Sequence, residues 1–117
     1  MFSPRLLDHF RNPRFPGSLD PPAVTVEVSN PACGDLLRLS ARFEGGVAAE
    51  VRFLVRGCTA SVAAASALTV LARGRRREEL ARIDQAAIES ELDGLPPASS
   101  HAAVLAIDAL RELLARI

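Results

Sequence analysis

Leu37-Arg38-Leu39-Ser40-Ala41-Arg42-Phe43-Glu44-Gly45-Gly46-Val47-Ala48-Ala49-Glu50-Val51-Arg52-Phe53-Leu54-Val55-Arg56, residues 37–56, decides the fold. Leu37, Leu39, Ala41 and Phe43 alternate with Arg38, Ser40 and Arg42. Val47, Ala49, Val51, Phe53 and Val55 alternate with Glu50, Arg52 and Arg56. A period of two with one polar side marks strands covered on one face. Glu44-Gly45-Gly46-Val47 between them is hairpin chemistry. Upstream, Val24, Val26 and Val28 alternate with Thr25, Glu27 and Ser29 and predict a third strand.

Helices flank this meander. Ser3 and Pro4 are an N-cap and first helical residue, with Leu6, Leu7 and Phe10 at helical spacing and Asn12-Pro13 as the stop. Residues 13–22 hold Pro13, Pro16, Gly17, Pro21 and Pro22 and read as loop. Residues 59–73 are Ala-rich and almost uncharged, which predicts a helix buried on most sides and stopped at Gly74. A charged stretch, Arg75 to Arg82, predicts a short exposed helix, and Asp84 caps another running to Leu92. After Gly94-Leu95-Pro96-Pro97, Ser99 or Ser100 caps a last amphipathic helix with Val104, Ile107, Leu110, Leu114 and Ile117 on one face. The expectation is an α+β fold, a three-stranded antiparallel meander with helices on one face.

The chain has 117 residues, 49% hydrophobic, enough for one domain spanning 1–117. The formal net charge is zero, so nothing global favours nucleic acid or an anionic membrane as a partner. No apolar run has the length of a membrane span, and the first residues lack the apolar region of a signal peptide. These features predict a cytoplasmic protein. All 14 basic residues are Arg, which excludes chemistry that needs Lys; Trp and Tyr are also absent, so a coloured cofactor would stand out.

A two-residue turn at Gly45-Gly46 makes paired positions sum to 91 and sets Cys33 opposite Cys58 at the mouth of the hairpin, with Asp35 at the same end. Cys58 opens the Ala-rich helix, where free N–H groups and the helix dipole favour thiolate. Gly34 and Gly57 allow close backbone approach, and His101 starts the last helix. Two thiols, a carboxylate and an imidazole form a tetrahedral set for Zn²⁺, or a site for an iron–sulfur cluster. Residue type and spacing leave other readings open: buried small residues or a disulfide for the cysteines, an Asx turn for Asp35, a helix cap for His101. A thiol enzyme with Cys58 as nucleophile and His101 as base is a further reading.

At these residues the sequence resembles the iron–sulfur cluster assembly scaffold family, the IscU type and the N-terminal domain of NifU. Leu7-Asp8-His9-Phe10-Arg11-Asn12-Pro13-Arg14 with Gly17 resembles its opening signature. Asn30-Pro31-Ala32-Cys33-Gly34-Asp35 and Arg56-Gly57-Cys58-Thr59-Ala60-Ser61 resemble its two cysteine segments. Leu95-Pro96-Pro97 followed by His101 resembles its third. The resemblance implies a non-enzymatic scaffold or carrier that takes sulfur from a cysteine desulfurase, builds a [2Fe–2S] cluster and passes it to acceptor proteins. It implies Cys33, Asp35, Cys58 and His101 as ligands of that cluster, of precursor iron, or alternatively of zinc. A degenerate zinc-binding paralogue that acts as a protein-interaction module is the alternative function.

The chain departs from the family in two places. The third cysteine, which follows the histidine in the family and both ligates metal and accepts persulfide sulfur, is Ala102. The Lys after the Pro-Pro pair, part of the motif read by an Hsp70-type chaperone, is missing, which argues against chaperone-driven transfer. His9 reads as a hydrogen-bonding helix residue, Phe2 as part of a mobile segment that docks on a partner or on a second copy, and Arg73, Arg75, Arg76 and Arg77 as a helix end and solvated turn.

Overall fold

The computed structural model describes residues 1–31 and 34–117. Cys33 lies outside the described residues, and with it the expected pairing of the two cysteines. The chain runs α1 (Pro4–Arg11), β1 (Val24–Asn30), β2 (Asp35–Glu44), β3 (Val47–Arg56), α2 (Thr59–Ala72), α3 (Arg77–Leu80), α4 (Gln85–Glu91), a 3₁₀ turn (Pro97–Ser99) and α5 (Ser100–Ala115). The strands form an antiparallel sheet in the order β1-β2-β3. Helix α5 covers β1 and β2, α2 covers β3, and α1 and α4 pack on α2. The expected α+β meander is thus present. Among the described residues, no helix is long and apolar enough to cross a membrane.

The hairpin register changes part-way along. Phe43 pairs with Ala48, but Arg42 pairs with Glu50, so Ala49 has no partner across the ladder. This bulge corrects the simple alternation read from sequence. Ala48 is buried beside Val51 and Phe53, where unbroken alternation puts Val47 and Ala49. It also shifts the far end of the hairpin by one residue. Leu36 pairs with Arg56, so the register carried onward sets Asp35 level with Gly57 and Gly34 level with Cys58.

The Pro-rich loop shields the outer edge of β3. Phe53 N–H donates to Phe15 O at 3.2 Å and Gly17 N–H to Phe53 O at 2.7 Å. Further along, Gly74 N–H donates to Ala48 O and Ala48 N–H to Arg75 O, each at 2.8 Å. An edge strand so covered offers few groups to a foreign strand. Arg73 stacks over the Phe15 ring, 3.6 Å from its centroid, and Arg77 donates to Ile117 O at 2.6 Å. The arginine run is largely spent on such local contacts.

Ten residues of α2 are buried, Ala63, Ala64, Ala65 and Ala67 completely, as the Ala-rich sequence predicts. Their small side chains let sheet and helices approach closely. Two other helices differ from expectation. In α5 the buried face is Ala102, Ala103, Leu105, Ala106, Ile107, Ala109, Leu110 and Leu113. Val104 is 37% exposed because α5 packs on the sheet and on α2, α3 and α4 through those eight residues instead, and Ile117, beyond the helix end at Ala115, is 38% exposed. In α1 the buried residues are Leu6 and His9, while Phe10 is 39% exposed. Leu80 in the charged stretch is fully buried, so α3 is anchored to the core by one side chain. Phe2 packs against the core.

His9 is the hinge of a polar network that fastens α1 to α2 and α4. Its Nε2 lies 3.0 Å from Glu91 Oε2 and its Nδ1 2.7 Å from Ser66 Oγ. A carboxylate only accepts, so in the neutral imidazole Nε2 carries the proton and Nδ1 accepts from the Ser66 hydroxyl. Ser66 Oγ in turn accepts from Arg14 N–H at 2.9 Å. Arg5 donates to Glu91 Oε2 at 2.7 Å and Ser3 Oγ donates to Leu92 O. Burial pushes the Glu91 carboxyl up, but the hydrogen bonds from Arg5 and His9 outweigh it and hold it below its ordinary 4.5.

A carboxyl with a depressed native pKa stabilises the fold above its unfolded value and loses that contribution as pH falls through the native one. Glu91→Gln is therefore expected to cost about 1–3 kcal/mol at neutral pH. Urea unfolding should show the gap between variant and parent closing in acid, below the native value of Glu91. A gap of constant size across that range would rule out the carboxylate as its source.

Candidate functional site

The site is built at three element ends. Asp35 is the first residue of β2, on the face that carries the buried Leu37 and Leu39, and is itself only 4% exposed. Cys58 is the N-cap of α2, in extended conformation (φ −77°, ψ 168°), with its carbonyl accepting from the N–H groups of Ser61 and Val62, each at 3.1 Å. His101 is the second residue of α5. The packing of α2 and α5 on one face of the sheet brings these ends together.

Cys58 carries a free, exposed thiol, which removes the buried-apolar reading for this cysteine. Its Sγ lies 3.4 Å from Asp35 Oδ2 and 3.7 Å from His101 Nε2. His101 Nε2 is 3.9 Å from Asp35 Oδ2. One donor atom each from Asp35, Cys58 and His101 lies within 4.8 Å of the others. These are sulfur, nitrogen and oxygen donors, the types that Zn²⁺ and iron take. The positive end of the α2 dipole points at this spot and favours anionic ligands there. Three of the four expected site residues are thus in contact, and the fourth, Cys33, lies outside the described residues.

Two features sharpen the sequence reading. Gly57 leaves room for the Asp35 carboxyl itself. A Cβ built at Gly57 would sit 2.6 Å from both Asp35 Cγ and Oδ1, far inside contact distance. The second is Ser61, 2% exposed, whose hydroxyl donates to Asp35 Oδ2 and lies 3.3 Å from Cys58 Sγ. Ser61 was not among the expected site residues. Its signal is a polar residue three positions after the capping cysteine, inside an otherwise Ala-rich run. Ala102, directly after His101, is 1% exposed and belongs to the core.

The family model described as NifU-like N terminal domain matches residues 1–116. The chain belongs to the NifU-like N-terminal domain family. The iron–sulfur cluster assembly scaffold protein IscU of Azotobacter vinelandii is similar to it, 39% identical over 114 residues, spanning 94% of this chain and 88% of that protein. The scaffold protein IscU 1 of Archaeoglobus fulgidus is 35% identical over 114 residues, spanning 97% of this chain and 74% of that one. The crystal structure of a nitrogen-fixing NifU-like protein (N-terminal) from Brucella abortus superposes with a TM-score of 0.78 over 98% of this chain and 92% of that one, at 21% identity, and shares the fold. The resemblance and fold read from sequence are thereby confirmed.

Within this NifU-like fold, Gly57 is the residue that admits the Asp35 carboxyl. Gly57→Ala forces two groups into the same space, and overpacking of this kind costs about 1–3 kcal/mol. The variant should unfold at lower denaturant than the parent with an unchanged m-value, and Asp35 resonances should move in its NMR spectrum. A variant of parental stability with an undisturbed Asp35 would contradict the close approach.

Proposed function

We propose that this chain is an iron–sulfur cluster assembly scaffold or carrier. It holds a [2Fe–2S] cluster, or the iron that precedes it, through Cys33, Asp35, Cys58 and His101. A cysteine desulfurase supplies the sulfur, and acceptor proteins take the finished cluster. The observation that carries the reading is the convergence of Asp35, Cys58 and His101 donor atoms within 4.8 Å. Family membership and the two IscU relatives support it. Cys33 enters through the sequence resemblance and its place next to Gly34. The cluster is cargo, assembled and released without being a resident cofactor, and the chain acts stoichiometrically and not as an enzyme.

In a [2Fe–2S] unit each iron takes two terminal ligands besides the bridging sulfides, and two thiolates, one carboxylate and one imidazole meet that number. Mixed ligation occurs where nitrogen replaces thiolate on one iron. Ala102 favours a second reading, in which the same residues hold zinc and the chain binds protein partners without building clusters. Zinc accepts such a mixed tetrahedral set without strain.

Anaerobic reconstitution with iron, sulfide and thiol tests the proposal. The desalted protein is expected to hold iron and sulfide in equal amounts and to show charge-transfer bands, against a background free of Trp and Tyr. Cys58→Ser is expected to lose both. Colourless protein that retains stoichiometric zinc would replace the scaffold reading with the second one. In that case Ala102→Cys is expected to restore cluster binding.

A further inference from the structure

We infer that Ser61 is a positioning residue, whose hydroxyl holds Asp35 Oδ2 beside Cys58 Sγ so that carboxylate and thiol meet a metal as a pre-set pair. The metal half of this inference rests on the proposed ligand set; the placement of Asp35 does not.

Ser61 stands in the first turn of α2 and is 2% exposed. A buried hydroxyl is costly unless it is hydrogen-bonded, and a serine within a helix commonly bonds back to a carbonyl of the preceding turn. Here the donor bond instead crosses from α2 to the start of β2, where it meets Asp35 Oδ2. The same oxygen is the one that faces Cys58 Sγ at 3.4 Å and His101 Nε2 at 3.9 Å. The carboxylate is therefore held from two sides: Gly57 gives it space, and Ser61 fixes its direction.

The proton inventory is consistent with this role. A hydroxyl has one proton and two lone pairs. Ser61 donates its one hydrogen bond to Oδ2, and its oxygen lies 3.3 Å from Cys58 Sγ. Metal binding would release the Cys58 thiol proton to solvent, so that Sγ could ligate as thiolate. The Ser61 hydroxyl would keep its hydrogen bond to Oδ2 and so hold the direction of the carboxylate while the thiolate ligates. Hydrogen-bonding partners of this kind, one step removed from the metal, change its affinity by about 10–100-fold when they are removed.

Two measurements on Ser61→Ala test the inference. Ala is a better helix former than Ser and keeps the backbone of α2, so the variant is expected to fold. In the metal-free protein, three-bond couplings about the Asp35 Cα–Cβ bond should report one rotamer in the parent and averaging in S61A. In anaerobic Co²⁺ titration, S61A should bind about 10–100-fold more weakly, with altered sulfur-to-cobalt bands. Ser61→Thr, which keeps the hydroxyl, should restore both signals.

Parental couplings in S61A would overturn the positioning of Asp35, whatever the metal does. Equal losses in S61A and S61T would overturn it too, since side-chain volume and not the hydroxyl would then matter. A parent protein that takes up no Co²⁺ would instead remove the proposed ligand set, and the couplings would still decide the role of Ser61.

Discussion

One unpaired residue in β3 fixes which groups meet at the far end of the hairpin. With Ala49 bulged out, Arg42 faces Glu50 and the register beyond runs one residue later than the Gly45-Gly46 turn alone sets. Without the bulge, Asp35 would lie level with Arg56, a long cationic side chain. With it, Asp35 lies level with Gly57, the one neighbour with no Cβ to exclude it. The same bulge lets Ala48 and Val51 both face the helices, which strict alternation forbids. Core packing thus sets the register, and the register sets the site.

The helices supply the rest of the placement. Two of the three described site residues sit at helix starts, and a helix start is only as well placed as the helix behind it. The completely buried alanines of α2 allow close packing with little side-chain freedom to lose. The His9–Glu91–Ser66 network ties α1 to α2 and α4, and Ser66 lies on α2, the helix that presents Cys58. Asp35 in turn is buried behind the exposed thiol, so the carboxylate is fixed while the sulfur stays accessible.

Much of this was legible in the sequence. Strand alternation, the Gly-Gly turn, the Ser3 and Asp84 caps and the uncharged helix 59–73 each have a local cause, and local causes leave local signals. The Asp35–Cys58–His101 cluster was also readable, because each residue lies at an element boundary that the sequence marks. What was not readable depends on tertiary packing. The bulge at Ala49 leaves no composition cue in Val47-Ala48-Ala49-Glu50. His9 is buried in place of Phe10 because Ser66 and Glu91 satisfy both ring nitrogens, and those partners lie 57 and 82 residues away in sequence. Val104 reads as core from its spacing, but tertiary contacts turn Ala102, Ala103, Leu105 and Ala106 inward and leave it at the surface. Ser61 looked like a helix residue until the carboxylate it bonds was in view.

The proposed ligand set has its own physical logic for cargo. Thiolates are soft donors and suit iron–sulfur chemistry, whereas carboxylate oxygen is a harder donor that suits it less. A site with thiolates alone favours retention. Exchanging thiolates for Asp35 and His101 weakens the hold at those positions, and the exposed Cys58 thiol leaves a side open for an incoming acceptor ligand. Pre-arrangement by Gly57 and Ser61 works against that loss, because an ordered carboxylate gives up less freedom on binding than a mobile one. In the proposed scaffold such a site would combine a donor set too hard to keep a cluster indefinitely with a geometry rigid enough to receive one.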